Sequence, residues 1–310
     1  MKTGDVIHGY QLIRRLDQGG SDRKFFRCKK DESTFILVYD NDLEYYIALQ
    51  KHLHLKEIPV PILHWYSLEE RLMILEDLGE VSLFTLREDS KRTSELYRSA
   101  IDTLIKIQIN GRKDAPVKCF YDREHIEWEQ EYFRDFFLVQ YCGMSSSELE
   151  GMEADFNTLA DQILTRAEPI SDYLMHRDFQ SQNIYLKDGE IRIIDFQSAR
   201  IGPLTYDLAA LLRDAYAQID ADLERELVRY YLQKIEEREL HIAEREFFSI
   251  YELTCLQRNM QALGAFANLS LNKNKPHFKK HIPRGLWLLQ NGLRGKELRR
   301  LQRVVSNIEI

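Results

Sequence analysis

Four cysteines in 310 residues, Cys28, Cys119, Cys142 and Cys255, include no C-x-x-C pair, so neither a zinc site nor a disulfide framework is signalled. They read as reduced and mostly structural. No run approaches the roughly 20 apolar residues needed to cross a bilayer. The opening Met1-Lys2-Thr3-Gly4-Asp5-Val6 lacks the apolar core of a secretory signal, and the expectation is a cytoplasmic protein. An excess of positive charge is missing too: 43 Lys plus Arg against 50 Asp plus Glu leave a net charge of −7. That balance argues against a chain held to nucleic acid by phosphate neutralisation. No internal repeat and no low-complexity linker interrupts the chain. What is present, 44% hydrophobic and 30% charged residues, fits a globular protein with a proper core, in one large domain or two unequal ones.

The first 80 residues hold short alternating or apolar runs at Tyr10–Leu16, Lys24–Cys28, Thr34–Tyr39 and Leu72–Leu75, separated by Gly19-Gly20 and Asp31-Glu32-Ser33. These predict antiparallel strands. Tyr46, Leu49 and Leu53 recur at helical spacing and predict one helix over Asp42–Leu55, capped by Asp42 and stopped by Ile58-Pro59-Val60-Pro61. After Gly79 the pattern turns to long amphipathic segments, Ser94–Ile109 and His125–Tyr141. Ser145 with Glu148 predicts a capping box for a helix running to about Ala167, and more helices follow at Asp207–Tyr216, Asp220–Glu237 and Arg245–Phe266. The expected division is 1–79 and 80–310, at Asp77-Leu78-Gly79.

One strand-like exception lies within the helical half. Asn183-Ile184-Tyr185-Leu186 and Ile191-Arg192-Ile193-Ile194 flank Asp188-Gly189, a dipeptide suited to the positive φ angles of a type I′ hairpin turn. A turn centred there sets Asn183 opposite Ile194, so Asn183 and Asp195 emerge together at the open end, about 5 Å apart as cross-strand neighbours are. Two such oxygen donors suit Mg²⁺, which takes one or two protein ligands plus phosphate and water. Asp178, five residues before Asn183, supplies a carboxylate to accept the proton of an attacking hydroxyl. Together these are the requirements of phosphoryl transfer.

His176-Arg177-Asp178-Phe179-Gln180-Ser181-Gln182-Asn183 has the H-x-D-x-x-x-x-N form of protein-kinase-like catalytic loops, and Asp195-Phe196-Gln197 stands in the place of their D-F-G. With Gln at the third position, no A-P-E segment, and Ala199-Arg200-Ile201-Gly202-Pro203 leading into Tyr206-Asp207-Leu208-Ala209, the sequence resembles the aminoglycoside phosphotransferase and choline kinase branch. It is most similar to bacterial anomeric sugar kinases acting on N-acetylmuramate and N-acetylglucosamine in cell-wall recycling. Leu75-Glu76-Asp77-Leu78-Gly79, His176–Tyr216, Gln257-Arg258-Asn259-Met260 and Ile282-Pro283-Arg284 carry that likeness.

The resemblance implies an α+β, two-lobed, protein-kinase-like fold: a small antiparallel-sheet N-lobe and a larger, mainly helical C-lobe, with ATP and Mg²⁺ between them. It implies Asp178 as catalytic base, Asn183 and Asp195 as metal ligands, and Gly19-Gly20 as the phosphate-covering hairpin, with Arg23, Lys24 and Arg27 just after it supplying positive charge. Glu76 and Leu78 would offer main-chain hydrogen bonds to adenine. Arg177, Gln180, Gln197 and Arg258 are candidates for the acceptor, a small molecule, most simply an amino sugar. His176 reads as structural, Arg177 as a brace, and Asp207 as a helix cap that also supports the loop.

One departure stands out. The strand Phe35-Ile36-Leu37-Val38-Tyr39 lacks the lysine that pairs with phosphates in protein kinases, and Arg27 or its neighbours are the expected substitutes, with Glu44 left as a surface residue. The missing lysine also supports a rival reading, a catalytically silent nucleotide-binding regulator. Another rival is a kinase for an aminoglycoside or choline-like cation, which needs clustered acids near Asp178. The acidic clusters at Glu224–Glu226 and Glu236-Glu237 are expected on exposed helix faces. Residues 273–303 carry ten Lys or Arg against Glu297 alone, +9 against −16 for the rest, and read as a solvated face of a packed helix. The sequence signals no obligate protein partner.

Overall fold

Short apolar runs, alternating with polar residues at Tyr10–Leu12 and continuous at Leu72–Leu75, build the N-terminal sheet. The computed structural model describes residues 1–16, 23–87 and 90–310. Gly19 and Gly20 lie outside them. Strands β1 (Val6–Ile7), β2 (Tyr10–Leu16), β3 (Lys24–Lys30) and β4 (Ser33–Tyr39) lead into helix α1 (Leu43–Leu55), and β5 (Leu63–Ser67) and β6 (Leu72–Glu76) complete the sheet. All pairings are antiparallel, in the order β1-β2-β3-β4-β6-β5. Tyr10 and Leu12 of β2 point inward with Phe26 and Cys28 of β3 to form a small core on one face, while Val38, Met73 and Leu75 join the main core on the other. β1 and β5 escaped the sequence reading because β1 is only two residues long and β5 follows the prolines directly. Asp42 occupies the cap position of α1 without capping it; the Asp42 N–H instead donates to Asp40 Oδ1 at 3.1 Å.

The remainder is mostly helical. Helix α2 (Ser90–Ile105) widens into a π-helical segment, Lys106–Asn110, and α3 (Arg123–Tyr132) does the same over Phe133–Tyr141. The Ser145/Glu148 capping box is present, but its helix, α4 (Ser146–Leu149), stops at once, and α5 (Met152–Ala167) restarts after Gly151, whose φ of 78° is the left-handed break. Strands β7 (Tyr173–Met175), β8 (Ile184–Lys187), β9 (Glu190–Ile193) and β10 (Arg200–Gly202) follow, then α6 (Leu204–Leu212), α7 (Ala221–Glu236), α8 (Glu244–Leu271), α9 (Ile282–Gly292) and α10 (Arg299–Ser306). A Cβ on Gly202 would sit 2.2 Å from Met175 Sδ, so only glycine lets β10 lie against β7. Among the described residues no helix is long and apolar enough to cross a membrane.

The β8–β9 hairpin ties the lobes together. Ile193 N–H crosses to the Pro59 carbonyl beyond α1, while Leu83 N–H donates to the Ile184 carbonyl and Leu186 N–H to the Val81 carbonyl, fastening the segment that has just left the N-terminal sheet. One core runs continuously from Val38, Tyr46 and Met73 to Ile184, Ile193 and Phe196, and the Tyr46 and Phe196 rings lie 4.8 Å apart. A second core, around Phe133, Phe137, Leu256 and Met260, holds the helices on which the site's far wall rests. Most cations of 273–303 are exposed, as expected, although Arg300 donates to the Glu148 and Glu150 carbonyls and Lys296 pairs with Glu252.

Candidate active site

The hairpin forms in the expected register. Asp188 (φ 53°) and Gly189 (φ 84°) make the turn, Ile184 faces Ile193, and Ile194 N–H donates to the Asn183 carbonyl at 3.0 Å. Asn183 and Asp195 therefore leave the open end side by side. The Asp178 carbonyl accepts the Gln180 N–H and the Asn183 Nδ2, both at 2.9 Å, so the amide nitrogen of Asn183 is committed and its oxygen is the end left to act as a ligand. Asp195 has φ 67° and accepts Gln197 Nε2 at 2.6 Å. Burial, and then the charge of Asp178, push the Asp195 carboxyl above the usual carboxylate range. An amide oxygen beside a carboxylate, Asn183 with Asp195, is a donor pair suited to a hard divalent cation, whose charge would relieve the repulsion between Asp195 and Asp178.

A buried carboxylate sets the loop. Asp207, wholly buried in the first turn of α6, accepts the His176 N–H at 2.7 Å and the Arg177 N–H at 2.8 Å. Helix α6 begins at Leu204 rather than at Asp207, so the support role expected of this residue is present and the cap role is not. Those two bonds hold Arg177 at φ 76°, a strained value for a side chain with a Cβ. Asp214 does the same one step along, accepting Ser181 N–H at 2.9 Å and Ser181 Oγ at 2.5 Å. Burial pushes the Asp207 carboxyl up to about 7, against the pull of its two N–H donors.

His176 is structural, as expected. Its Nε2 meets the Ile194 carbonyl at 3.0 Å, and burial pushes the imidazole down to about 4. The unfolded chain takes up a proton near the ordinary histidine value of about 6.5 and the folded chain does not, so this residue costs stability progressively as pH falls from about 6.5 to 4. Glutamine keeps the hydrogen-bonding reach but cannot titrate. Urea unfolding of His176→Gln between pH 6.5 and 4.5 is expected to lose about 1.4 kcal/mol per pH unit of the wild-type slope.

The acceptor-side candidates divide. Arg258 on α8 is buried, donates to Gln180 Oε1 at 3.1 Å and to Gln261 Oε1 at 2.7 Å, and lies 3.9 Å from Asp178 Oδ1. Arg177 braces: its guanidinium covers the Trp128 ring at 5.3 Å and lies 3.7 Å from Glu129. Burial works against ionisation of Glu129, yet His125, Arg177 and Tyr206 hold it below the usual carboxylate range. Gln197 is turned to Asp195, not outward.

At the other end, the Arg27 guanidinium is engaged by the residues that follow β6. Its guanidinium grips Asp77 at 2.7 and 3.0 Å, Glu80 at 3.0 Å and the Gly79 carbonyl at 3.2 Å. Glu76 N–H already bonds the Ile62 carbonyl, so of its main-chain groups the N–H is committed, and its carboxylate pairs with Lys187 at 3.0 Å. Leu78 is buried just beyond. Glu44 is an exposed surface residue, as expected. Glu224 is not: it is buried against Arg213 at 2.5 Å and Tyr251 at 2.9 Å, leaving Glu226, Glu236 and Glu237 as the exposed acids. Sequence reasoning missed Glu129, Asp214 and Asp40, single acids in amphipathic or turn contexts that carry no spacing signal.

The model for the phosphotransferase enzyme family matches residues 12–242, and the chain belongs to that family. It is a kinase acting on a hydroxyl of a small molecule. It is similar to an N-acetylmuramate/N-acetylglucosamine kinase of Neisseria meningitidis serogroup B, 27% identical over 85% of this chain and 80% of that protein. The protein of the same name from Pseudomonas putida is 25% identical over 91% and 83%. Among solved structures, a choline/ethanolamine kinase family protein from Mesorhizobium loti superposes with a TM-score of 0.61 at 12% identity, over 94% of this chain and 92% of that one. An ADP-bound aminoglycoside phosphotransferase gives 0.56 at 15%, over 89% and 91%. The two-lobed kinase-like fold is common to all of these structures.

Proposed function

We propose that this kinase phosphorylates the anomeric hydroxyl of an amino sugar of the N-acetylmuramate or N-acetylglucosamine type, using ATP and Mg²⁺, in the cytoplasm. The convergence of Asp178, Asn183 and Asp195 at the open end of one hairpin carries the phosphotransfer reading. Mg-ATP, when bound, supplies the phosphoryl group and neutralises charge on it. Asp178 orients the acceptor hydroxyl and takes its proton; Asn183 and Asp195 hold the metal. Residues 1–79 cover the nucleotide and 80–310 hold the acceptor, with Leu78 at the adenine edge.

Two observations support the amino sugar: the names borne by the relatives that cover most of this chain, and the cation of Arg258 beside Asp178. A buried guanidinium repels a cationic aminoglycoside or choline, and its Nη atoms, with Gln180 and Gln261, suit sugar hydroxyls or a carboxylate. Arg258→Met is expected to raise the acceptor KM by about tenfold to a hundredfold, the weight of a charged hydrogen bond, with the nucleotide KM unchanged. The decisive experiment incubates the protein with Mg-ATP and a panel of amino sugars, aminoglycosides and choline, read by ³¹P NMR. An anomeric phosphate doublet supports the reading; transfer to a cationic acceptor replaces it, and transfer to none of them ends it.

A further inference from the structure

We propose that Arg23, anchored by Asp40, is the cation that takes the nucleotide phosphates in place of the lysine missing from β4. The proposal rests on the kinase reading above.

Strand β4 ends at Tyr39, and Asp40 is the next residue; Arg23 immediately precedes β3 on the adjoining strand, whose Lys24 is the partner of Tyr39. Arg23 Nε meets Asp40 Oδ2 at 2.6 Å, with Asp40 only 8% and Arg23 15% exposed in their side chains. The guanidinium lies 5.7 Å from the centre of the Tyr46 ring on α1, and its Nη1 points to Asp195 Oδ1 at 3.8 Å. So β3, β4, α1 and the end of the catalytic hairpin converge on one side chain.

That arrangement relocates both halves of an ion pair. Where a protein kinase sets a lysine on this strand against a glutamate on the helix, β4 here has no cation and Glu44 is exposed. The carboxylate has moved to Asp40 and the cation to Arg23. A guanidinium has five N–H donors in a planar fork. Asp40 takes the Nε edge, which leaves the Nη edge directed at the metal-ligand end of the cleft, where two adjacent phosphate oxygens would satisfy it bidentately. The neighbouring cations are engaged elsewhere: Arg27 and Lys187 at Asp77, and Lys24 over the Tyr39 ring. A plain inter-lobe salt bridge would need only one carboxylate, whereas Arg23 spans two.

Isothermal titration calorimetry of Mg-ADP and of adenosine separates phosphate binding from folding. Arg23→Gln is expected to weaken Mg-ADP by about tenfold or more while adenosine affinity stays within about twofold, and Arg23→Lys is expected to recover part of the loss. Because Arg23→Gln strands the Asp40 carboxylate, Arg23→Gln/Asp40→Asn serves as the second variant and is expected to show the same ADP-selective loss. If either variant keeps the wild-type ratio of ADP to adenosine affinity, Arg23 is only a structural brace and the proposal is overturned. If the wild-type protein binds adenosine and Mg-ADP equally, or neither, the assignment of Mg-ATP as the phosphoryl donor fails first and this proposal with it.

Discussion

Asp178→Asn is expected to lower kcat by about 10²- to 10⁴-fold, the range for loss of a positioned general base, with both KM values changed by no more than about twofold. The split follows from how the loop is built. It is the backbone carbonyl of Asp178, not its carboxylate, that holds Gln180 and Asn183, and the fold is anchored by buried Phe179 and by Ser181 on Asp214. The side chain is left partly exposed at the cleft, with Arg258 3.9 Å away. An amide of the same shape leaves every one of those bonds in place and removes the proton acceptor, together with the negative charge that faces Arg258 and Asp195. Thermal melts of the two proteins should coincide, and an ADP-release assay with an amino sugar measures the rest. Undiminished turnover in Asp178→Asn, with acceptor dependence intact, would falsify the assignment of the base.

The parts of this molecule that could be read from its sequence are those fixed by local chemistry. Asp188-Gly189 admits one tight turn, the turn fixes the register, and the register brings Asn183 to Asp195; no distant residue is needed for that deduction. The four main strands and α1 follow from alternation and spacing for the same reason. What failed depended on partners far along the chain. Arg27 and Arg23 are four residues apart in a basic stretch and look alike in sequence, but one faces Asp77 just after β6 and the other Asp40 at the end of β4. Nothing short of the sheet order distinguishes them. Glu224 reads like its exposed neighbours because helical spacing does not reveal that Arg213 and Tyr251 lie against it. Asp207 was identified as a support from its place in a motif, yet only the fold shows what it supports.

That support makes Asp207 the residue whose loss should damage both stability and activity. Asp207→Ala strands two N–H groups, the buried one of His176 and the half-buried one of Arg177, and each unsatisfied donor costs about 1–3 kcal/mol, so urea unfolding at pH 7 is expected to show a loss of about 2–6 kcal/mol. With the N–H of Arg177 released, nothing pins its φ of 76°, the loop can relax toward an unstrained conformation, and Asp178 moves off its line; kcat is expected to fall by at least about tenfold even in the fraction that remains folded. Asp207→Asn separates the two effects. Its single carbonyl oxygen serves one N–H while its amide meets the other, so part of both losses should remain, and a titrating group disappears. Burial pushes the wild-type carboxyl up to about 7, above an unfolded value of about 3.9, so the folded protein holds a proton there that the unfolded chain has released. The stability this contributes is full below about pH 4 and is lost as pH rises through about 7, opposite in sign to the contribution of His176. The wild-type pH profile between about 4.5 and 6.5 is therefore the difference of two one-proton slopes. Asp207→Asn is expected to steepen the rise of stability with pH over that interval, and His176→Gln to turn it toward a fall. Parallel profiles for the wild type and Asp207→Asn would mean that the carboxylate is ionised throughout, held by its two N–H donors alone.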